Sequence, residues 1–142
     1  MNQIQNILVI GFVWPEPNSS AAGTRMEQLL FLFNQWGWKV TFATPAMESD
    51  FMIDLAAVGV EKKAIKLNCS SFDIFIQELN PTMVFFDRFL MEEQFGWRVA
   101  EFCPNALRIL DTIDLHCLRL SRQKAFKDKR DFEINDLLTE EI

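Results

Sequence analysis

The 142-residue sequence predicts a doubly wound α/β domain, a parallel sheet of about five strands flanked by helices. Three observations carry that expectation. Ile7-Leu8-Val9-Ile10-Gly11-Phe12-Val13 is a short continuous apolar run, as suits a strand buried on both faces. Thr82-Met83-Val84-Phe85-Phe86 is a second run of the same kind. Between and after them, stretches with apolar residues at helical spacing alternate with further short strands, the pattern of repeated right-handed crossovers.

In chain order, the strand at Ile7 leads into a polar loop, then a helix whose Met26, Leu29, Leu30, Phe33 and Trp36 recur at helical spacing. Gly37 suits its C-terminal cap. Lys39 to Thr44 reads as the second strand, stopped by Pro45. Phe51 to Val58 reads as a weaker helix and Lys63 to Leu67 as a short third strand. Ser71 to Leu79 is the next helix, ended by Asn80-Pro81. Met91 to Phe102 follows the fourth strand as a helix, and Ala106 to Leu110 forms the fifth strand. From Leu115 the chain reads as a charged helical tail, so the expected organisation is an α/β domain over 1–114 and a tail over 115–142.

Composition narrows the function. The sequence is 49% hydrophobic, with 14 Phe and 4 Trp to fill a core. A formal net charge of −6 argues against a nucleic-acid binder, which needs a basic face to displace counterions. Cys69, Cys103 and Cys117 are scattered without a CxxC and His116 is the only histidine, so no metal site is expected. They read as reduced thiols of a cytoplasmic protein. No segment approaches about 18 apolar residues, so no transmembrane span is expected, and peripheral attachment at the inner membrane face stays open.

A ligand on such a sheet binds beyond the carboxyl ends of the strands, where strand order reverses. With the order 3-2-1-4-5, three loops converge there: Trp14 to Arg25, Asp87-Arg88-Phe89, and Asp111 to His116. The first lacks the G-x-G-x-x-G of dinucleotide-binding domains and the G-x-x-x-x-G-K-[ST] of P-loop nucleotidases. It offers instead Ser19, Ser20, Gly23 and Thr24 before a helix, where small residues and free N–H groups suit an anion, with Arg25 to add a bidentate contact. Ser20 or Thr24 as a helix N-cap explains the loop equally well. Asp87 and Arg88 read either as ligand contacts or as an internal ion pair. Asp111 closes the fifth strand. Asp114 is a good N-cap for the helix at Leu115, and His116 has the pKa of an acid–base group. In the tail, Arg119, Arg122, Lys124, Lys127, Lys129 and Arg130 precede a block of acids, which reads foremost as a solvated, locally paired face.

These residues resemble a known family. The Ile7 to Gly11 strand with its Pro/Ser/Gly loop and Arg25-Met26-Glu27-Gln28-Leu29-Leu30 looks like the opening of bacterial GT-B glycosyltransferases. Gly37 to Pro45 looks the same, and Arg108 to His116 with Leu118, Arg119 and Arg122 is similar to the D-T-x-D-L-H segment of one branch. The resemblance implies the Rossmann-like N-terminal, acceptor-side half of an enzyme that moves a sugar from a nucleotide-sugar donor to a glycan or lipid-linked acceptor. It implies no cofactor beyond that donor as co-substrate. Ser19, Ser20, Gly23 and Thr24 would line the cleft near the transferred sugar or donor phosphates, and Asp87, Asp111, Asp114 and His116 the acceptor side, with His116 and Asp114 as catalytic candidates and Arg25 and Arg88 as further substrate-binding candidates. Where many relatives carry a His-Asp pair, this chain has Ile113-Asp114, with His116 two residues on. The sequence reaches Ile142 before the family's sixth strand and donor domain, so a C-terminal donor-domain partner is expected and the 142 residues alone are expected to transfer no sugar. The alternatives are a non-catalytic α/β binding module, one subunit of a split glycosyltransferase, or a small flavodoxin-like enzyme using His116 or a cysteine.

Overall fold

A computed structural model describes residues 4–18, 21–111 and 123–129. The chain divides into two compact units, Met1–Asp111 and Thr112–Ile142. In the second, residues 123–127 are helical; the rest of the expected tail helix lies outside the described residues.

The first unit is a five-stranded, all-parallel Rossmann-like sheet in the order β3-β2-β1-β4-β5. Its elements are β1 (Asn6–Ile10), α1 (Ala21–Gln35), β2 (Lys39–Thr44), β3 (Val60–Ala64), α2 (Ser70–Leu79), β4 (Met83–Asp87), α3 (Phe89–Phe102) and β5 (Leu107–Asp111). The predicted strand order is thus the observed one. Alternate residues of the central strands feed two separate cores. Leu8, Ile10, Val84 and Phe86 pack with Phe72 and Ile76 of α2 and with Met91, Phe95 and Val99 of α3. Ile7, Val9, Phe42 and Phe85 pack with Met26, Leu30 and Phe33 of α1 on the other face. Burying each of these side chains contributes about 1.5–3 kcal/mol, which is why continuous apolar runs end up as central parallel strands.

The helix ends follow their residues. Gly37, at φ 77°, donates its N–H to the Asn34 carbonyl and turns the chain out of α1, a conformation that needs no Cβ. Asn80 takes the left-handed conformation at the end of α2 and donates to the Ile76 carbonyl, just before Pro81. Thr24, expected as a possible N-cap, lies inside α1, which starts three residues earlier; its hydroxyl donates to the Pro17 carbonyl. Cys69 and Cys103 are free thiols, and Cys117 lies outside the described residues.

Two segments differ from expectation. The third strand runs over Val60–Ala64 rather than 63–67. Only Val60 of it is buried, and Glu61, Lys62 and Lys63 stand exposed along the sheet edge, so the strand carries no apolar signature. Charged edges of this kind discourage pairing with another chain. The expected helix over 51–58 is a single 3₁₀ turn, Ala56–Val58. Its first half is pulled straight: the Ile53 N–H donates to the Pro15 carbonyl, and Ser49 hydrogen-bonds Glu16. Among the described residues no helix is long and apolar enough to cross a membrane.

Candidate functional site

Strand order reverses between β1 and β4, and a cavity of about 270 Å³ opens there beyond their carboxyl ends. The loop after β1 supplies Val13, Trp14, Pro15 and Glu16; α1 supplies Ala22, Gly23 and Met26; the end of β4 supplies Asp87 and Arg88. Trp14 is 2% exposed, leans on Phe42 and donates its indole N–H to the Ala46 carbonyl, so it forms a fixed wall. Gly23 lets the loop cross directly over α1. A Cβ there would stand 2.4 Å from the Glu16 carbonyl oxygen.

Asp87 is the buried polar group of this cavity. It is 7% exposed, and no hydrogen bond reaches its carboxylate from the described residues. Burial pushes its pKa above the ordinary value of 3.8; Arg88 opposes that shift, Asp111 adds to it, and Arg25 opposes it. The Asp111 effect follows from register, since Asp87 and Asp111 are directly paired across β4 and β5. Raised in this way, the folded-state carboxyl binds its proton at higher pH than the unfolded chain. Stability therefore falls as pH climbs from 3.8 through the folded pKa and stays reduced above it. Asp87→Asn should accordingly melt higher than wild type at pH 7, with the gap closing as both are acidified to about pH 3. Thermal melts that place wild type level with or above the variant at pH 7 would refute this.

Arg88 holds the least expected geometry. Its backbone sits at φ 102° and ψ 154°, a region almost reserved for glycine, between the last residue of β4 and the first of α3. Strain of this kind costs about 1–3 kcal/mol. Its Nε is buried without a hydrogen-bond partner, and its guanidinium lies 5.2 Å from the ring centre of Phe12. Phe12 is 40% exposed, and a cation–π contact at so open a ring contributes about 0.5–1 kcal/mol, too little to offset the strain. Nor does the Arg88 side chain cap α3.

The sequence-predicted residues divide clearly. Gly23, Asp87 and Arg88 come together in the cavity. Arg25 and Asp111 meet each other in an ion pair beside it, Asp111 mostly buried and Arg25 half exposed. Thr24 lines a different groove of about 530 Å³ with Glu27, Gln28, Phe31, Leu32 and Val58. Ser19, Ser20, Asp114 and His116 lie outside the described residues. Trp14, Glu16 and Met26 join the site without having been singled out from the sequence; a large aromatic immediately after the first strand was the one available signal. A larger hollow of about 740 Å³ lies between the 48–56 segment and β3, where Lys62 already pairs with Glu48 and no unpartnered buried polar atom opens into it. Among the described residues no three His, Cys, Asp or Glu side chains cluster as metal ligands.

The chain matches no protein-family model, no curated protein and no solved structure. Function therefore rests on the chemistry of the cavity together with the sequence resemblance. That chemistry is a proton-accepting carboxylate and a guanidinium whose Nε has no hydrogen bond, set between an indole wall and the start of a helix. Such a set can orient a hydroxyl group and hold an adjacent polar substituent.

Proposed function

We propose that this domain forms the acceptor side of a glycosyl-transfer site, with Asp87 engaging the acceptor hydroxyl. One observation supports it above the others: a buried carboxylate that accepts no hydrogen bond from the described residues lines the cavity at the strand-order reversal. An acidic group in that state gains most from a ligand that brings an O–H donor. Its raised pKa also makes it a stronger base than an exposed aspartate, which suits drawing a proton from a hydroxyl as that oxygen attacks a sugar. That the group transferred is a sugar comes from the resemblance of residues 7–45 and 108–122 to GT-B enzymes. By the same resemblance, a nucleotide-sugar would be gripped by a second Rossmann-like domain facing this cavity. Asp114 and His116 remain candidates for the chemical step on the same footing.

A panel of monosaccharides and glycosides titrated into the isotope-labelled chain tests the reading. Saturable shifts of the Gly23 amide are expected for at least one hydroxyl-rich acceptor analogue. Asp87→Asn should weaken that binding by about tenfold or more, as expected when a charged hydrogen bond is lost. If no saccharide moves the Gly23 signal, or if Asp87→Asn binds as well as wild type, the site is not an acceptor site.

A further inference from the structure

We propose that Arg88 is a recognition residue for an anionic oxygen group, phosphate or carboxylate, which the acceptor carries close to the hydroxyl that Asp87 engages. This rests on the acceptor-site reading for its substrate but on separate observations for its chemistry. The Arg88 backbone is held in a glycine-like conformation although a cheaper residue for that turn exists, and the cation–π contact with half-exposed Phe12 does not offset the strain. Strained residues of this kind cluster at active sites and ligand clamps. Here the side chain lines the cavity and its Nε is buried without a hydrogen bond, whereas Arg25 and Arg98 of the same α/β unit already hold aspartates.

The fork of a guanidinium fits two oxygens of a phosphate or carboxylate side by side, and a cation–π contact through the ring face uses none of its N–H donors. The start of α1 forms the facing wall through Ala22 and Gly23, and its positive end favours an anion in the same space. Asp87 sets the selectivity. Its carboxylate repels an anion placed directly against it, so the ligand must offer Asp87 a hydroxyl and Arg88 the charged group. The preferred substrate is therefore a hydroxylated acid or phosphate ester, bound more tightly than a neutral saccharide that engages Asp87 alone.

The test follows the Arg88 Nε–H and Gly23 amide signals of the full 142-residue chain at pH 7 during titration with inorganic phosphate and, separately, acetate. At least one should shift both signals to saturation, and the stronger of the two identifies phosphate or carboxylate as the preferred group. Arg88→Gly should abolish the Gly23 shift while melting no lower than wild type, because glycine adopts this backbone freely. Arg88→Lys keeps a charge and loses the fork, so its affinity should fall by about tenfold or more, and it decides the matter should the glycine variant fail to fold. Asp87→Asn should bind the same anion more tightly, although it weakens saccharide binding, which separates this proposal from the acceptor-hydroxyl reading. Failure of both anions to shift the signals, or an undiminished shift in Arg88→Gly or Arg88→Lys, overturns the assignment.

Discussion

Replacing Asp73 with alanine is expected to destabilise the α/β unit by about 3 kcal/mol, because it strands the Arg98 guanidinium between two helices. Asp73 in the first turn of α2 accepts a 2.7 Å hydrogen bond from Arg98 of α3, and each side chain is 11% exposed. The pair is incompletely bonded as it stands, since Asp73 Oδ1 and Arg98 Nε have no partner, while the guanidinium also lies 4.5 Å from the Trp97 ring centre. Desolvation has therefore been met by one good contact and one aromatic face. Removing the aspartate removes the contact and leaves the burial. A double replacement, Asp73→Leu with Arg98→Met, trades both charges for apolar volume and should recover most of the loss. Urea melts of Asp73→Ala and the double variant make the comparison. Losses below about 1 kcal/mol in Asp73→Ala would mean that solvent reaches the pair far more readily than its burial indicates.

The second large effect is expected at Gly23. Alanine inside a helix normally gains up to about 1 kcal/mol over glycine. Here the added methyl would lie 2.4 Å from the Glu16 carbonyl oxygen and 2.6 Å from its carbon, both backbone atoms that cannot rotate away. The Glu16 segment is anchored from its far side as well, by Ser49 to the Glu16 side chain and by Ile53 to Pro15. Overpacking against such a strap costs about 1–3 kcal/mol, enough to reverse the helix gain, and Gly23→Val should cost more than Gly23→Ala. Because the same strap walls the cavity, both variants should also lose whatever ligand shifts the Gly23 signal in wild type. A Gly23→Ala protein that melts above wild type would show the strap to be loose.

The fold was legible because its information is concentrated in a few residues. Ile7 to Ile10 and Val84 to Phe86 are apolar at every position, and only a strand covered on both faces uses such runs. Strand β3 was displaced in the reading because its residues after Val60 are charged and exposed, so pairing with β2 rather than burial defines it. The helix expected over 51–58 failed for a related reason. The Ile53 N–H is taken by the Pro15 carbonyl, and neighbouring Ser49 by Glu16, both distant in sequence. For the site, the rule that ligands gather at the strand-order reversal found Gly23, Asp87 and Arg88. It could not find that Arg25 and Asp111 satisfy each other, since opposite charges at two loop ends do not reveal whether they meet. The backbone angle of Arg88 is invisible in the sequence too, because arginine is the wrong residue for that turn, and the geometry emerges only when β4 and α3 are joined around it.

Strand β1 is hydrogen-bonded on both sides, and its successive residues are sent alternately into the two cores. Those cores consequently share a spine and do not behave as independent layers. A defect beneath α1 weakens the ladder that α2 and α3 rest on, and the reverse holds too. The α/β unit is therefore expected to melt as one cooperative body, with the loops that shape the cavity supported from both faces at once.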